Sequence, residues 1–239
     1  VRIRVYATQS THKSVSALRQ GSMIHVYDQD FARKSEDMFN EAVLTHTTTS
    51  PNYQIIASLD LARRQADLEG FGMTSVVYQM AVVMRERIEN DPLLSKYFSV
   101  LEPEELIPAD YRQSGLASYI DPAIQSTEEV YRAWEGDEFV LDPTRITLYL
   151  ANTGYNGNEF KEDVLMDRYG IQVNKTSINS VLFIFTIGVT WSSLGYLIDA
   201  LQQTAADLER QQAQAGEANL QLFANRVRAL SDDLPDLPD

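Results

Sequence analysis

Ala7-Thr8-Gln9-Ser10-Thr11-His12-Lys13-Ser14-Val15-Ser16-Ala17-Leu18-Arg19-Gln20-Gly21-Ser22-Met23-Ile24-His25-Val26 opens on the end of a strand pattern and sets a lysine just beyond it. Arg2 to Thr8 reads as a buried strand. A lysine held at a strand end in an apolar environment has its ammonium destabilised, so its amine can condense with an aldehyde. Four polar residues after a strand, Ser10 to Lys13, are also what a turn or a helix cap requires. Such a motif therefore takes its meaning from context.

Outward from Lys13, Ser14 to Gln20 reads as a helical turn and Ser22 to Tyr27 as a short strand. A helix follows over Asp30 to Thr45, with Phe31, Met38, Phe39, Ala42 and Val43 spaced to bury one face. Pro51 stops any continuation, since it lacks the amide hydrogen and pushes Ser50 out of helical geometry. The next helix runs from about Asn52 to Glu69 and ends at Gly70 and Gly72. Another covers Thr74 to Asn90, where Val76, Val77, Met80, Val83, Met84 and Ile88 recur at the helical period and make a broad buried face. Pro92, Pro103, Pro108 and Pro122 then punctuate a stretch of short elements joined by turns.

The C-terminal half has an α+β pattern. Strands are expected at Arg145 to Ala151, Ile171 to Lys175 and Ser180 to Ile187, with a Gly-Asn loop at 154 to 158 and helices at Glu159 to Tyr169 and Ser192 to about Gln214. Gly170 stands where a left-handed helix stop belongs and Thr190 where an N-cap belongs. Leu194, Leu197, Ile198 and Leu201 lay one face of the long helix on the sheet. Its polar continuation, Gln202 to Glu217, is amphipathic at best, and Asp232 to Asp239 reads as a frayed linker.

The 239 residues are 44% hydrophobic and can bury a core. A net charge of -14 argues against nucleic acid or an anionic membrane as partner through a basic surface. Without cysteine there is neither disulfide framework nor thiolate metal site, which fits a reducing cytoplasm. The most apolar run, Val181 to Val189, is too short to span a bilayer. No dinucleotide or phosphate-loop glycine motif and no zinc-protease or calcium-loop motif occurs, and His12, His25 and His46 are too scattered to make a metal site.

Four motifs in register change the weight of Lys13. The stretch Ala7 to Val26 resembles the cofactor-lysine segment of the bacterial ornithine/lysine/arginine decarboxylases. Leu44-Thr45-His46-Thr47-Thr48-Thr49-Ser50-Pro51, Leu141-Asp142-Pro143-Thr144-Arg145-Ile146-Thr147, and Tyr169-Gly170-Ile171 through Val181 to Gly188 resemble the family's later motifs in order. The resemblance implies an α/β fold of the aspartate-aminotransferase type. Residues 1–65 would end the large domain that binds pyridoxal 5'-phosphate, 66–205 would be a small α+β domain, and 206–239 a C-terminal helix with an acidic linker. It also implies that this chain, which opens without methionine in a strand pattern, is a fragment lacking a long preceding region and the family's last domain.

For the site, the resemblance implies that Lys13 holds pyridoxal 5'-phosphate, that Ser10 and His12 serve its phosphate and the site wall, and that His12 assists catalysis. Ser10 is equally read as a cap or turn hydroxyl. Thr48 and Thr49 become cofactor or substrate contacts, reaching the neighbouring subunit of a homodimer or larger homo-oligomer with shared sites. Helix capping is the other reading of that hydroxyl-rich loop. The implied reaction is decarboxylation of a basic amino acid. Its distal cation needs an anionic partner, and Glu135, Asp137 and Glu138 lie where the family carries one. This segment is shorter than in the inducible acid-stress members, and the choice among the three stays open. The alternative is a non-catalytic assembly module, because other cofactor-binding residues lie upstream in the family.

Overall fold

The computed structural model describes residues 3–124 and 126–231. The chain divides between Ser75 and Val76 into two compact units.

In the first unit, β1 (Val5–Gln9) leads through α1 (Thr11–Ser14) to β2 (Met23–Tyr27), followed by α2 (Phe31–Lys34), α3 (Glu36–His46) and the start of α4 (Tyr53–Asn90). β1 and β2 form an antiparallel ribbon in which Val5 faces Tyr27 and Gln9 faces Met23. Tyr6, Phe31 and Phe39 make an aromatic cluster with ring centroids 5.3 to 6.5 Å apart. Arg4 and the Tyr6 hydroxyl both engage Asp28, at 3.4 and 2.9 Å.

Two expectations fail in this unit. β1 is exposed along its whole length rather than buried, because among the described residues no further strand joins the two-stranded ribbon, which has too little surface to enclose itself. The apolar face expected on the helix after Asp30 is covered only in part: Phe31, Phe39 and Val43 are half-buried, but Met38 is 74% exposed and Ala42 is exposed, and the segment breaks at Ser35 into α2 and α3.

A third correction concerns Gly70 and Gly72, which do not stop the helix: α4 is continuous over 38 residues. Neither glycine adopts the left-handed backbone that a stop requires. Each costs only about 1 kcal/mol against alanine in a helix interior. Good helix formers, Ala66, Leu68, Glu69 and Met73, surround them, while Thr74 and Ser75 turn their hydroxyls back onto the carbonyls of Gly70 and Phe71.

The second unit builds α5 (Leu94–Tyr97), β3 (Ser99–Val100), α6 (Pro103–Leu106), α7 (Thr127–Gly136) and β4 (Arg145–Tyr149). An irregular helical run follows: α8 (Gly157–Glu159), a π-helical stretch at Phe160–Met166, and α9 (Asp167–Tyr169), closed by Gly170 at φ 65° as expected. β5 (Lys175–Thr176), β6 (Ser180–Ile184), α10 (Trp191–Gln214) and α11 (Glu217–Ser231) complete it.

The four strands pair antiparallel in the order β3-β4-β6-β5. Alternation then decides the packing: Ile146, Leu148, Val181 and Phe183 turn inward and are buried. Val77, Met80, Ala81, Met84 and Ile88 of α4 and Leu194, Leu197, Leu201, Ala205 and Leu208 of α10 join them in one core. Each such large side chain contributes about 1.5–3 kcal/mol. The expected N-cap holds, with Thr190 Oγ1 accepting from the Ser193 amide at 3.1 Å. The strands are shorter than expected: β4 ends at Tyr149 before a tight turn at Ala151–Thr153, β6 ends at Ile184, and the strand expected at Ile171 to Lys175 is displaced, since residues 171–174 are not in strand and β5 begins only at Lys175. Residues 232 to 239, read as a linker, lie outside the described residues.

At the corner between α8 and the β5–β6 turn, Gly157 has no room for a side chain. A Cβ there would sit 2.1 Å from the Ser177 carbonyl oxygen and 2.6 Å from that of Ser180. Gly157→Ala is therefore expected to destabilise the protein by about 1–3 kcal/mol or more, the usual scale of forced overpacking. Urea unfolding checks this, and a neutral result would disprove the crowding.

Candidate active site

The Ser10–Lys13 motif sits on the turn from β1 into α1 and is tied down by the backbone. The Lys13 amide donates to the Ser10 carbonyl at 2.9 Å, and Thr11, buried, starts the helix whose turn closes with Val15 N to Thr11 O at 3.1 Å. His12 is anchored twice to the Gly21 carbonyl, by its amide at 3.3 Å and by ring Nδ1 at 2.8 Å. A carbonyl oxygen only accepts, so Nδ1 carries the hydrogen and Nε2 is the nitrogen left for other chemistry. Leu18 N donates to Ser58 Oγ at 3.0 Å and ties the following loop to α4.

Ser10 and Lys13 are exposed and His12 is half-buried. The apolar enclosure expected around Lys13 is thus not made within residues 3–75, for the same reason that β1 is open. Among the described residues, Lys13 Nζ enters no ion pair or hydrogen bond. An unengaged primary amine, with a hydroxyl three residues before it and an oriented imidazole beside it, fits the attachment end of a carbonyl cofactor bearing a phosphate.

Thr48 and Thr49 lie on the exposed turn between α3 and α4, where Thr48 Oγ1 accepts from the Ser50 amide at 3.0 Å. The capping of α4 falls instead to Asn52, whose Oδ1 accepts from the amides of Gln54 and Ile55 at 3.0 and 3.3 Å. Among the described residues no hydrogen bond joins this turn to the Ser10–Lys13 segment.

The acidic trio belongs to the second unit. Glu135 and Glu138 are exposed, whereas Asp137 is occupied: Oδ1 accepts from the Ser114 amide and Oδ2 from the Ser114 hydroxyl, both at 2.7 Å. Around it the Glu138 amide donates to Gln113 Oε1 at 3.3 Å and the Phe139 amide to the Tyr111 carbonyl at 3.2 Å.

A buried cluster next to this arm went unforeseen. Arg85 of α4 is fully buried; its Nε donates to Glu102 Oε1 at 2.8 Å, and its Nη1 to the carbonyls of Pro143 at 2.8 Å and Ala81 at 3.1 Å. Glu102 Oε2 accepts from the Tyr119 amide at 2.9 Å. The Tyr119 ring lies under the guanidinium, 5.3 Å from Cζ to centroid, a cation–π contact, and its hydroxyl donates to the Leu141 carbonyl. Burial pushes the hydroxyls of Tyr119 and Tyr78 above their ordinary range. Tyr119 packs with Leu116, Val130 of α7 and the ring of Trp134. One local signal was available in advance: Ser126-Thr127-Glu128-Glu129 is an N-terminal helix signature, and Ser126 Oγ caps α7 through the Glu129 amide at 3.3 Å. The Arg85–Glu102 pair, 17 residues apart, had none.

Residues 2–193 match the family model described as Orn/Lys/Arg decarboxylase, major domain. The chain belongs to the Orn/Lys/Arg decarboxylase family. Lysine decarboxylase LdcA of Pseudomonas aeruginosa is 32% identical over 214 residues, which cover 80% of this chain and 27% of that protein. Arginine decarboxylase of Bacillus cereus is 26% identical over 230 residues, covering 94% of this chain and 41% of that protein. In structure, lysine decarboxylase LdcF of Francisella novicida superposes with a TM-score of 0.62 at 24% identity, over 96% of this chain and 31% of that one. The constitutive lysine decarboxylase of Escherichia coli gives 0.60 at 26%, over 92% and 31%. The mixed α/β fold of this family member is thereby shared, and the chain spans about a quarter to two fifths of the length of these curated relatives. Among the described residues no helix is long and apolar enough to cross a membrane, and no acidic or histidine cluster could hold a metal ion.

Proposed function

We propose that the protein carrying this chain decarboxylates a basic amino acid, lysine, ornithine or arginine, to the corresponding amine and carbon dioxide. The observation that carries this reading is the unengaged Lys13 amine, held on the β1–α1 turn inside a family match that runs from residue 2 to 193. Bound pyridoxal 5'-phosphate would supply an electron sink for the pair released when the Cα–carboxylate bond breaks.

The chain's own residues take the remaining tasks. Lys13 Nζ is the amine that holds the cofactor, Ser10 offers a hydroxyl donor to its phosphate, and His12, whose Nδ1 hydrogen is spent on Gly21, presents Nε2 to the site as a proton acceptor. Thr48 and Thr49 contact cofactor or substrate, across the subunit boundary of a homodimer or larger homo-oligomer. Glu135 at the end of α7 and Glu138 just after it are the open carboxylates for the substrate's distal cation, and Asp137, bonded to Ser114, anchors the segment between them. In the aspartate-aminotransferase fold type, residues 1–65 would close the cofactor domain, 66–205 form the small domain, and 206–239 supply a helix and linker. The cysteine-free composition is compatible with a reducing cytoplasm as its compartment. Relatives named as decarboxylases over greater lengths support catalysis over a separate assembly module.

The test is carbon dioxide release by the protein at its full encoded length, loaded with pyridoxal 5'-phosphate. Release from at least one of lysine, ornithine and arginine, with little from the neutral homologue norleucine, is the expected outcome. Release from none of the three would refute the proposal.

A further inference from the structure

The acidic arm from Asp137 to Pro143 is not a free loop, since it is bonded at successive points to the segment 111–119 and to α4. Asp137 grips Ser114, the Glu138 and Phe139 amides reach Gln113 and Tyr111, the Tyr119 hydroxyl reaches the Leu141 carbonyl, and Arg85 Nη1 reaches the Pro143 carbonyl at 2.8 Å. The last two are the more enclosed, the Arg85–Pro143 bond buried and the Tyr119–Leu141 bond partly so, and they are coupled. Glu102 takes the Arg85 Nε with one oxygen and the Tyr119 amide with the other, while the guanidinium stacks over the Tyr119 ring.

A buried guanidinium is costly to desolvate, and a well-packed hydrophobic pair of similar volume is often at least as stabilising. What the ion pair adds here is direction: Nε addresses Glu102, and Nη1 addresses the Ala81 carbonyl of its own helix and the Pro143 carbonyl, so the planar guanidinium sets the height of the arm's C-terminal end. Glu138 lies three residues before the Leu141 carbonyl that Tyr119 holds. We infer that Arg85 and Tyr119 are positioning residues that fix the arm bearing Glu138, and so set the preference for a cationic over a neutral side chain. This rests on the decarboxylase reading above, because it assigns the arm to the substrate's distal end.

Tyr119→Phe removes one hydroxyl and keeps the ring, the stacking and the fold, and it is made in the enzyme at its full encoded length. The ratio of kcat/KM for the preferred basic amino acid to that for norleucine is expected to fall roughly 3- to 10-fold, the scale of one lost buried hydrogen bond. The loss should lie in KM, with kcat and the cofactor's visible absorbance held. Hydrogen exchange at residues 138–142 should quicken while that of β4 and β6 does not. An unchanged ratio in an active Tyr119→Phe enzyme would overturn the inference, as would a fall confined to kcat. Failure of the decarboxylase reading shows separately, as absence of carbon dioxide release by the unmodified enzyme.

Discussion

Lys13→Ala should abolish decarboxylation, with a loss of at least roughly 10²–10⁴-fold, the range typical for removing a positioned group that moves protons, and a larger one where attachment of the cofactor is lost as well. The variant should also lose visible cofactor absorbance and leave no borohydride-trapped adduct on the peptide spanning Thr11 to Val15. Its folding should be unaffected: the Lys13 side chain is exposed and makes no hydrogen bond or ion pair among the described residues, and its structural bond is made by the backbone amide. Retained activity in Lys13→Ala, or an adduct mapped to another lysine, would remove the chemical basis of the assignment.

Arg85→Met should cost about 3–5 kcal/mol of stability, because the change strands the Glu102 carboxylate in a mostly buried setting without its cation. The Pro143 carbonyl loses its donor as well, and the Ala81 carbonyl loses its side-chain one. Pairing the change with Glu102→Gln should recover part of the loss, since an amide still offers an oxygen to the Tyr119 N–H and carries no charge. The coupling is read as a double-mutant cycle. Urea unfolding followed by fluorescence is suited to it, because Trp134 and Trp191, the chain's two tryptophans, both lie beyond Ser75. A single-variant loss below about 1 kcal/mol would mean that the pair is no more than a solvated surface bridge.

Periodicity made the second unit legible where side chains alternate between core and solvent. The apolar repeat Val77, Met80, Met84 and Ile88, the inward residues of β4 and β6, and the stripe Leu194, Leu197 and Leu201 pack as their spacing implies, whereas Val76, at the start of the expected face, is exposed. It failed where a residue's conformational habit was weaker than its surroundings. Gly70 and Gly72 are poor helix formers, yet two such penalties do not outweigh the run of strong formers on either side. In the first unit, apolar residues at the right spacing predicted burial, but spacing says which residues share a face and not what covers that face; Met38 and the β1 side chains show the difference.

The site divides along the same line. Lys13 was found by resemblance to a family and not by any periodic signal. The structure then added what resemblance could not, the Nδ1 hydrogen fixed on His12 and the engagement of Asp137 by Ser114. Arg85 and Glu102 were invisible because a pair separated by 17 residues leaves no mark in any local window, and a lone arginine on a helix reads as a surface charge.

The sheet of the second unit is bordered by β3 and β5, two residues each, around central strands of five. Borders that brief give a passing chain almost no ladder to extend. Any association through this part of the molecule would therefore rest on side-chain shape and charge, where it can be tuned one substitution at a time without exposing a template for runaway fibre growth.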